Sequence, residues 1–175
     1  MSFAPSSPPA PGLPRRAIAR LAGLSIGIAA AALLGLVVVQ GWQVIARYVL
    51  NDSPSWTEPV TLLLLSTAMS LGAAAGVHTR RHFGFYLFTD SVGAAMHRVL
   101  QVIPALVIVA IGATLSFWGL VLLRDGLDIR TAGAVLPQSI NYLPLSVGGA
   151  LMVVFALEQL FDAIAGPRAA NEGSP

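Results

Sequence analysis

Four stretches of this chain contain no Asp, Glu, Lys, Arg or His and are long enough to cross a bilayer: Leu21 to Ala46, Pro59 to Val77, Val99 to Leu123 and Thr131 to Leu157. A helix rises about 1.5 Å per residue and the hydrocarbon core is about 30 Å thick, so roughly 20 such residues suffice. The fourth run opens on Pro137, Gln138 and Asn141, and its apolar part begins near Ile140. The expectation is an all-α membrane protein with four transmembrane helices, at about 20–48, 57–78, 98–123 and 138–161. These make a membrane domain of residues 17–165. It lies between a Pro/Ser-rich head (1–16) and a tail (166–175) whose compositions suit disorder.

Composition removes several function classes. Only 10% of residues are charged, against roughly a quarter in ordinary soluble domains. Without cysteine there is no disulfide framework, thiolate metal site or thiol nucleophile. A net charge of +2 is too small to suggest nucleic acid as a partner.

Arginines in short flanks orient such a chain. With the N-terminus inside, Arg15, Arg16, Arg20, Arg80, Arg81, Arg98 and Arg168 are cytoplasmic, and Arg47, Arg124 and Arg130 are outside. Trp42, Trp56, Trp118, Tyr48 and Tyr142 then fall towards the outer helix ends, as an interfacial belt does. Both termini are therefore expected in the cytoplasm. The segment PRRAIAR, 14–20, has the look of a twin-arginine export signal. The uncharged run behind it exceeds the roughly 7–15 residues of a signal core, so an uncleaved first span is expected.

The four runs hold no ionisable group, which argues against autonomous ion or proton transport. Two motifs of small residues suggest helix packing: GLSIG (Gly23, Gly27) in span 1 and GAAAG (Gly72, Gly76) in span 2, extended by Ala68 one turn earlier. Lying at matching depth, they are candidates to face one another. Gln40, Gln43 and Arg47 recur at i, i+3 and i+7 and form a polar stripe leading outward. It suits either a protein contact or the interface beyond an overlong span. His78, His82 and His97 all fall in the connection 78–98, where they are poorly placed to ligate haem from within a bundle. That connection, with Phe83, Phe85, Leu87, Phe88 and Met96 between arginines, reads as a partly helical interfacial segment.

The outer connection reads RYVLNDSPSWTEP, 47–59. Asn51, Asp52 and Ser53 are turn formers, and Pro54 disfavours helix at Ser53. Thr57 as N-cap keeps Pro59 inside the tolerant first turn of span 2.

Taken in order, four features resemble the small membrane subunit (the Q-type small permease) of tripartite ATP-independent periplasmic (TRAP) transporters. They are the Arg-Tyr closing span 1 with Trp-x-Glu opening span 2, the Gly/Ala-rich end of span 2 running into Arg81-His82 and HFGFYLF, the stretch TAGAVLPQSINYLPLSVGGALM (131–152), and the four-span layout. They cover about residues 20 to 160. The chain departs from the family's pattern at Pro59 and Tyr86, where acids are common, so roles tied to those carboxylates do not carry over.

The resemblance implies a non-enzymatic scaffold subunit. It would brace a large membrane subunit and help receive a periplasmic solute-binding protein in the uptake of an organic acid: a dicarboxylate, keto acid or sugar acid. Sodium is used by the transporter as a whole, and the small subunit holds no substrate, cofactor or metal. The localisation implied is the bacterial inner membrane, with the lipid bilayer as the remaining partner. Candidate interface or structural residues are Gln40, Gln43, Arg47, Trp56, Glu58, His82, Pro137 and Tyr142; candidate packing residues are Gly23, Gly27, Ala68, Gly72 and Gly76. The alternative is the membrane anchor of a respiratory complex holding haem b or quinone, and a small channel or exporter is the third reading.

Overall fold

The computed structural model describes residues 13–52, 54–79, 94–129 and 137–165. Its elements are α1 (Leu13–Tyr48), α2 (Thr57–Thr79), α3 (Ala94–Asp125), a short 3-10 helix η1 (Gln138–Tyr142) and α4 (Leu143–Ala165). Four of these are long and apolar enough to cross a membrane. Residues 80–93, the core of the expected interfacial connection, lie outside the described residues, as do most of the head and the tail.

The helices stand side by side in the order α1, α2, α4, α3. Helix α1 packs on α2, α2 on α4, and α4 on α3, while the remaining pairs of long helices touch at most marginally. A closed four-helix bundle surrounds a shared core. This arrangement is a row, curled at one end, where Ala22 of α1 joins Ala74, Val77, Phe155 and Ala156 in a small cluster.

Helix α4 fits between its two neighbours through adjacent glycines, which point about 100° apart on a helix of 3.6 residues per turn. A Cβ on Gly148 would stand 2.6 Å from the Ser70 Cβ and 2.8 Å from its carbonyl carbon, against α2. A Cβ on Gly149 would stand 2.7 Å from the Ser116 nitrogen and 2.8 Å from the Gly112 oxygen, against α3. The α3 seam continues towards the C-terminal end of α3 at Gly119, whose Cβ would lie 2.9 Å from the Ser146 nitrogen. Such close backbone approach is how helices associate where lipid offers no hydrophobic contrast. Hydroxyls add bonds: Ser66 Oγ of α2 donates to the Asn141 carbonyl of η1 (3.2 Å), and Ser146 Oγ of α4 to the Ser116 carbonyl of α3 (3.4 Å).

The expected glycine pairing does not occur. A Cβ on Gly23, Gly27, Gly72 or Gly76 meets nothing within 4 Å. Helix α1 instead lays Ala22, Ser25, Ala29 and Ala32 inward, spaced three and four apart, and α2 buries Ala68, Leu71, Ala74, Ala75 and Val77 between α1 and α4. The methyl of alanine suffices at the distance between α1 and α2, so the glycines beside this stripe are left facing open space.

The turn between α1 and α2 follows its residue types. Asn51 takes φ 52°, in the left-handed region that Asn tolerates, and the Asp52 N–H returns to the Ala46 carbonyl at 3.0 Å. Thr57 is the first helical residue, so Pro59 falls in the tolerant first turn. The Thr57 hydroxyl, however, donates to the Pro54 carbonyl (2.8 Å) rather than accepting from the helix as an N-cap does. The fully buried Thr57 thus pins the preceding turn. Thr57→Val keeps the shape and deletes the donor. It is expected to cost about 1 kcal/mol in reversible unfolding, and Thr57→Ser is expected to restore most of it.

Candidate functional site

Polar and aromatic groups gather at the two ends of the row. At the end holding the α1–α2 turn, Arg47 and Glu58 are exposed, Gln40 is exposed and Gln43 half-buried. Gln43 falls on the stripe that α1 turns towards α2, ending at the buried Ala46, whereas Gln40 and Arg47 flank that stripe. Among the described residues no ion pair joins Arg47 to Glu58. Trp56 is 44% exposed, and Val49 and Leu50 beside it are more so. Pro137 leads into η1 with extended geometry, and the Gln138 N–H reaches the Ile129 carbonyl at 2.9 Å, closing the connection from α3. Pro137 and Tyr142 are half-buried. Among the described residues no hydrogen bond or ion pair joins any two of these side chains. They share one end of the row and leave most of their polar atoms outward. His82 lies outside the described residues.

The opposite end carries a cluster that the pattern of apolar runs did not indicate. His78 belongs to α2 rather than to the connection after it. Its Nδ1 lies 3.6 Å from Glu158 Oε2 of α4, and its ring packs 5.3 Å from the ring of fully buried Phe155. One residue on, the Gln159 amide donates to the Val77 carbonyl, one of the four that the α2 C-terminus leaves without an intrahelical partner. Arg15 of α1 reaches Asp162 of α4 at 2.8 Å. Three polar links thus join α1 and α2 to a single helix, a clasp on α4. Two sequence signals pointed to it: Glu158 and Asp162 stand at i, i+4 directly behind an apolar run, and His78 stands directly behind another.

Comparison with known proteins decides the family. The model of the DctQ component of tripartite ATP-independent periplasmic transporters matches residues 36–166. The chain belongs to the DctQ family. A DctQ component is a transporter subunit and not an enzyme, and this one is a multi-pass protein of the bacterial inner membrane. It is also similar to a curated relative, the small permease protein SiaQ of a sialic acid TRAP transporter from Vibrio cholerae. The two are 31% identical over 130 residues, 73% of each chain. The DctQ match begins inside α1 and takes in α2, α3 and α4, so it contains the Gly148–Gly149 pair and every member of the clasp but Arg15. Membership implies two partners, a large membrane subunit and a periplasmic binding protein.

Proposed function

We propose that this DctQ component is a scaffold: it braces the large membrane subunit and helps present the binding protein, and it carries neither substrate nor sodium itself. The row architecture is the observation that supports this most. A helix row with no shared core has no enclosed path through it, and it turns its apolar surface outward. Only 11% of the most apolar stretch of α3 is buried within the subunit. Two concavities are shallow and lined chiefly by apolar groups such as Met69, Leu115 and Met152, and the hydroxyls of Ser66, Ser70 and Thr114 at their walls are already engaged by carbonyls. The cargo we infer is an organic acid taken up with sodium by the complete transporter. The relative's sialic acid, a sugar acid, supports that class. Both termini are placed in the cytoplasm by the arginine distribution, which sets the Trp56 end outward to meet the binding protein.

Reconstitution tests this. Vesicles holding both membrane subunits, with binding protein and a sodium gradient, are expected to accumulate the organic acid. The large subunit alone should lose most uptake, and the small subunit alone should show none. Uptake by the small subunit alone would overturn the scaffold reading. Arg47 and Glu58, unpaired with each other, are proposed to meet the partners. Arg47→Ala and Glu58→Ala are each expected to reduce co-purification or uptake at least several-fold. Pairs at an exposed interface contribute at most about 1 kcal/mol, so a larger loss marks a desolvated contact. Unchanged assembly and uptake in both variants would remove these residues from the interface.

A further inference from the structure

Each helix of the row carries depth markers: its outer aromatic residue, and its apolar run together with the inner arginine from which that run starts. In an upright row, markers of one kind would stand level on every helix. Packing fixes what is level with what. Arg15 of α1 meets Asp162 of α4, and Ala22 clusters with Phe155 and Ala156. On the other flank of α4, Gly149 meets Gly112 and Ser116, Ser146 meets Gly119, and Ser139 meets Gly126. Carried across α4, these contacts set Leu24 of α1 level with Ile111 of α3.

The markers disagree with that level in one consistent direction. The apolar run of α1, Leu21 to Ala46, is centred near Leu34, whereas the run of α3, Val99 to Leu123, is centred at Ile111. Trp42 of α1 stands level with Ile129, yet the tryptophan of α3 is Trp118. Arg20 stands level with Ile108, yet the arginine opening α3's span is Arg98. Each offset is about 10 residues, or ~15 Å along the axis.

We propose that the row sits obliquely in the bilayer, its helices leaning together along the row. Helices α1 and α3 are two to three interhelical distances of about 8–10 Å apart, so an offset of ~15 Å corresponds to roughly 35° from the membrane normal. That lies within the roughly 0–40° seen for transmembrane helices. A lean of roughly 35° lengthens the crossing from about 20 residues to about 24, close to the charge-free runs Leu21 to Ala46 and Val99 to Leu123. An upright row would instead sink Trp118 into the hydrocarbon or lift exposed Val99, Ile103 and Leu106 into water. The partner this surface fits is the bilayer itself, met at different axial heights by the two ends of the row. The inference rests on membrane insertion alone and does not depend on the scaffold role.

The chain has no cysteine, so single cysteines can report depth without a background. Leu24, Leu34 and Ile111 are 62%, 70% and 48% exposed. Leu24→Cys, Leu34→Cys and Ile111→Cys, each in the full chain, would be nitroxide-labelled and reconstituted in phospholipid vesicles. Immersion depth is read from collision with oxygen and with a water-soluble nickel chelate. The oblique seat sets Ile111 at the depth of Leu34, with Leu24 about 12 Å nearer the headgroups. Ile111 lying nearer the depth of Leu24 than that of Leu34 would mean an upright row and overturn the proposal.

Discussion

Gly149→Leu is expected to part α3 from α4 and leave the subunit unable to hold its row. The built Cβ already lies 2.7 Å from the Ser116 nitrogen and 2.8 Å from the Gly112 oxygen. Both are backbone atoms, which cannot rotate aside as a flexible side chain could. Overpacking a filled core by single methylenes costs about 1–3 kcal/mol, so Gly149→Ala should lose stability of that order, and the leucine should exceed what a marginally stable fold tolerates. Gly148→Leu should do the same to the α2 seam, where the obstruction is the backbone of Ser70. Gly72→Ala is the comparison: its Cβ meets open space, and replacing glycine within a helix gains about 1 kcal/mol in propensity. Reversible unfolding of the purified subunit in detergent should therefore rank Gly72→Ala at or above the parent and Gly149→Ala clearly below it. Equal stability of these two would mean that the α3–α4 approach is looser than the structure shows.

The second large effect is expected at the clasp. Gln159→Leu leaves the Val77 carbonyl without its cross-helix donor at the end of α2. A partly buried acceptor stripped of its partner costs about 1–3 kcal/mol. Glu158→Leu should cost about 2 kcal/mol, because its side chain is only 11% exposed and faces His78. Joining it to His78→Phe should cost less than the two single changes added together, since a buried polar pair exchanged for apolar groups is often close to neutral. Arg15→Ala should cost under about 1 kcal/mol, because that ion pair is 49% and 33% exposed and open to screening. The order Glu158 and Gln159 above Arg15, measured by unfolding, checks the assignment. A dominant Arg15 would place the closure of the row in α1 instead of between α2 and α4.

The four spanning helices were legible because charge-free runs of sufficient length admit little else in a membrane. Their order in the row was not. The helices are apolar around most of their circumference, so no amphipathic stripe distinguishes a packed face from a lipid face. Spacing of glycines misled for a related reason. How closely two helices approach is decided by what faces the glycine, and Gly112, Ser116 and Gly119, a motif containing serine, mark the tight seam, while the exact repeats at Gly23 and Gly72 face open space. Between α1 and α2, the turn at Asn51 and the tolerance of Pro59 were readable because both depend on local backbone geometry alone. The clasp was missed because the charge-free runs stop at Val77 and Leu157, which assigned His78 to the connection and left Glu158 unconsidered, although both are helical and His78 packs on a buried phenylalanine and faces Glu158.

The position of α4 has a consequence for how the protein is made. It is synthesised after the other three described helices and stands between α2 and α3, which have little contact of their own. Chains emerge from the N-terminus, so α1 and α2 can pair as a hairpin while α3 waits in the membrane without a neighbour. Only when α4 enters, slotting Gly148 against one side and Gly149 against the other, does α3 gain its place. A chain cut short before Leu143 would thus leave a hairpin and a solitary helix, and the 23 residues of α4 act as the step that closes the row rather than as an addition to a finished fold.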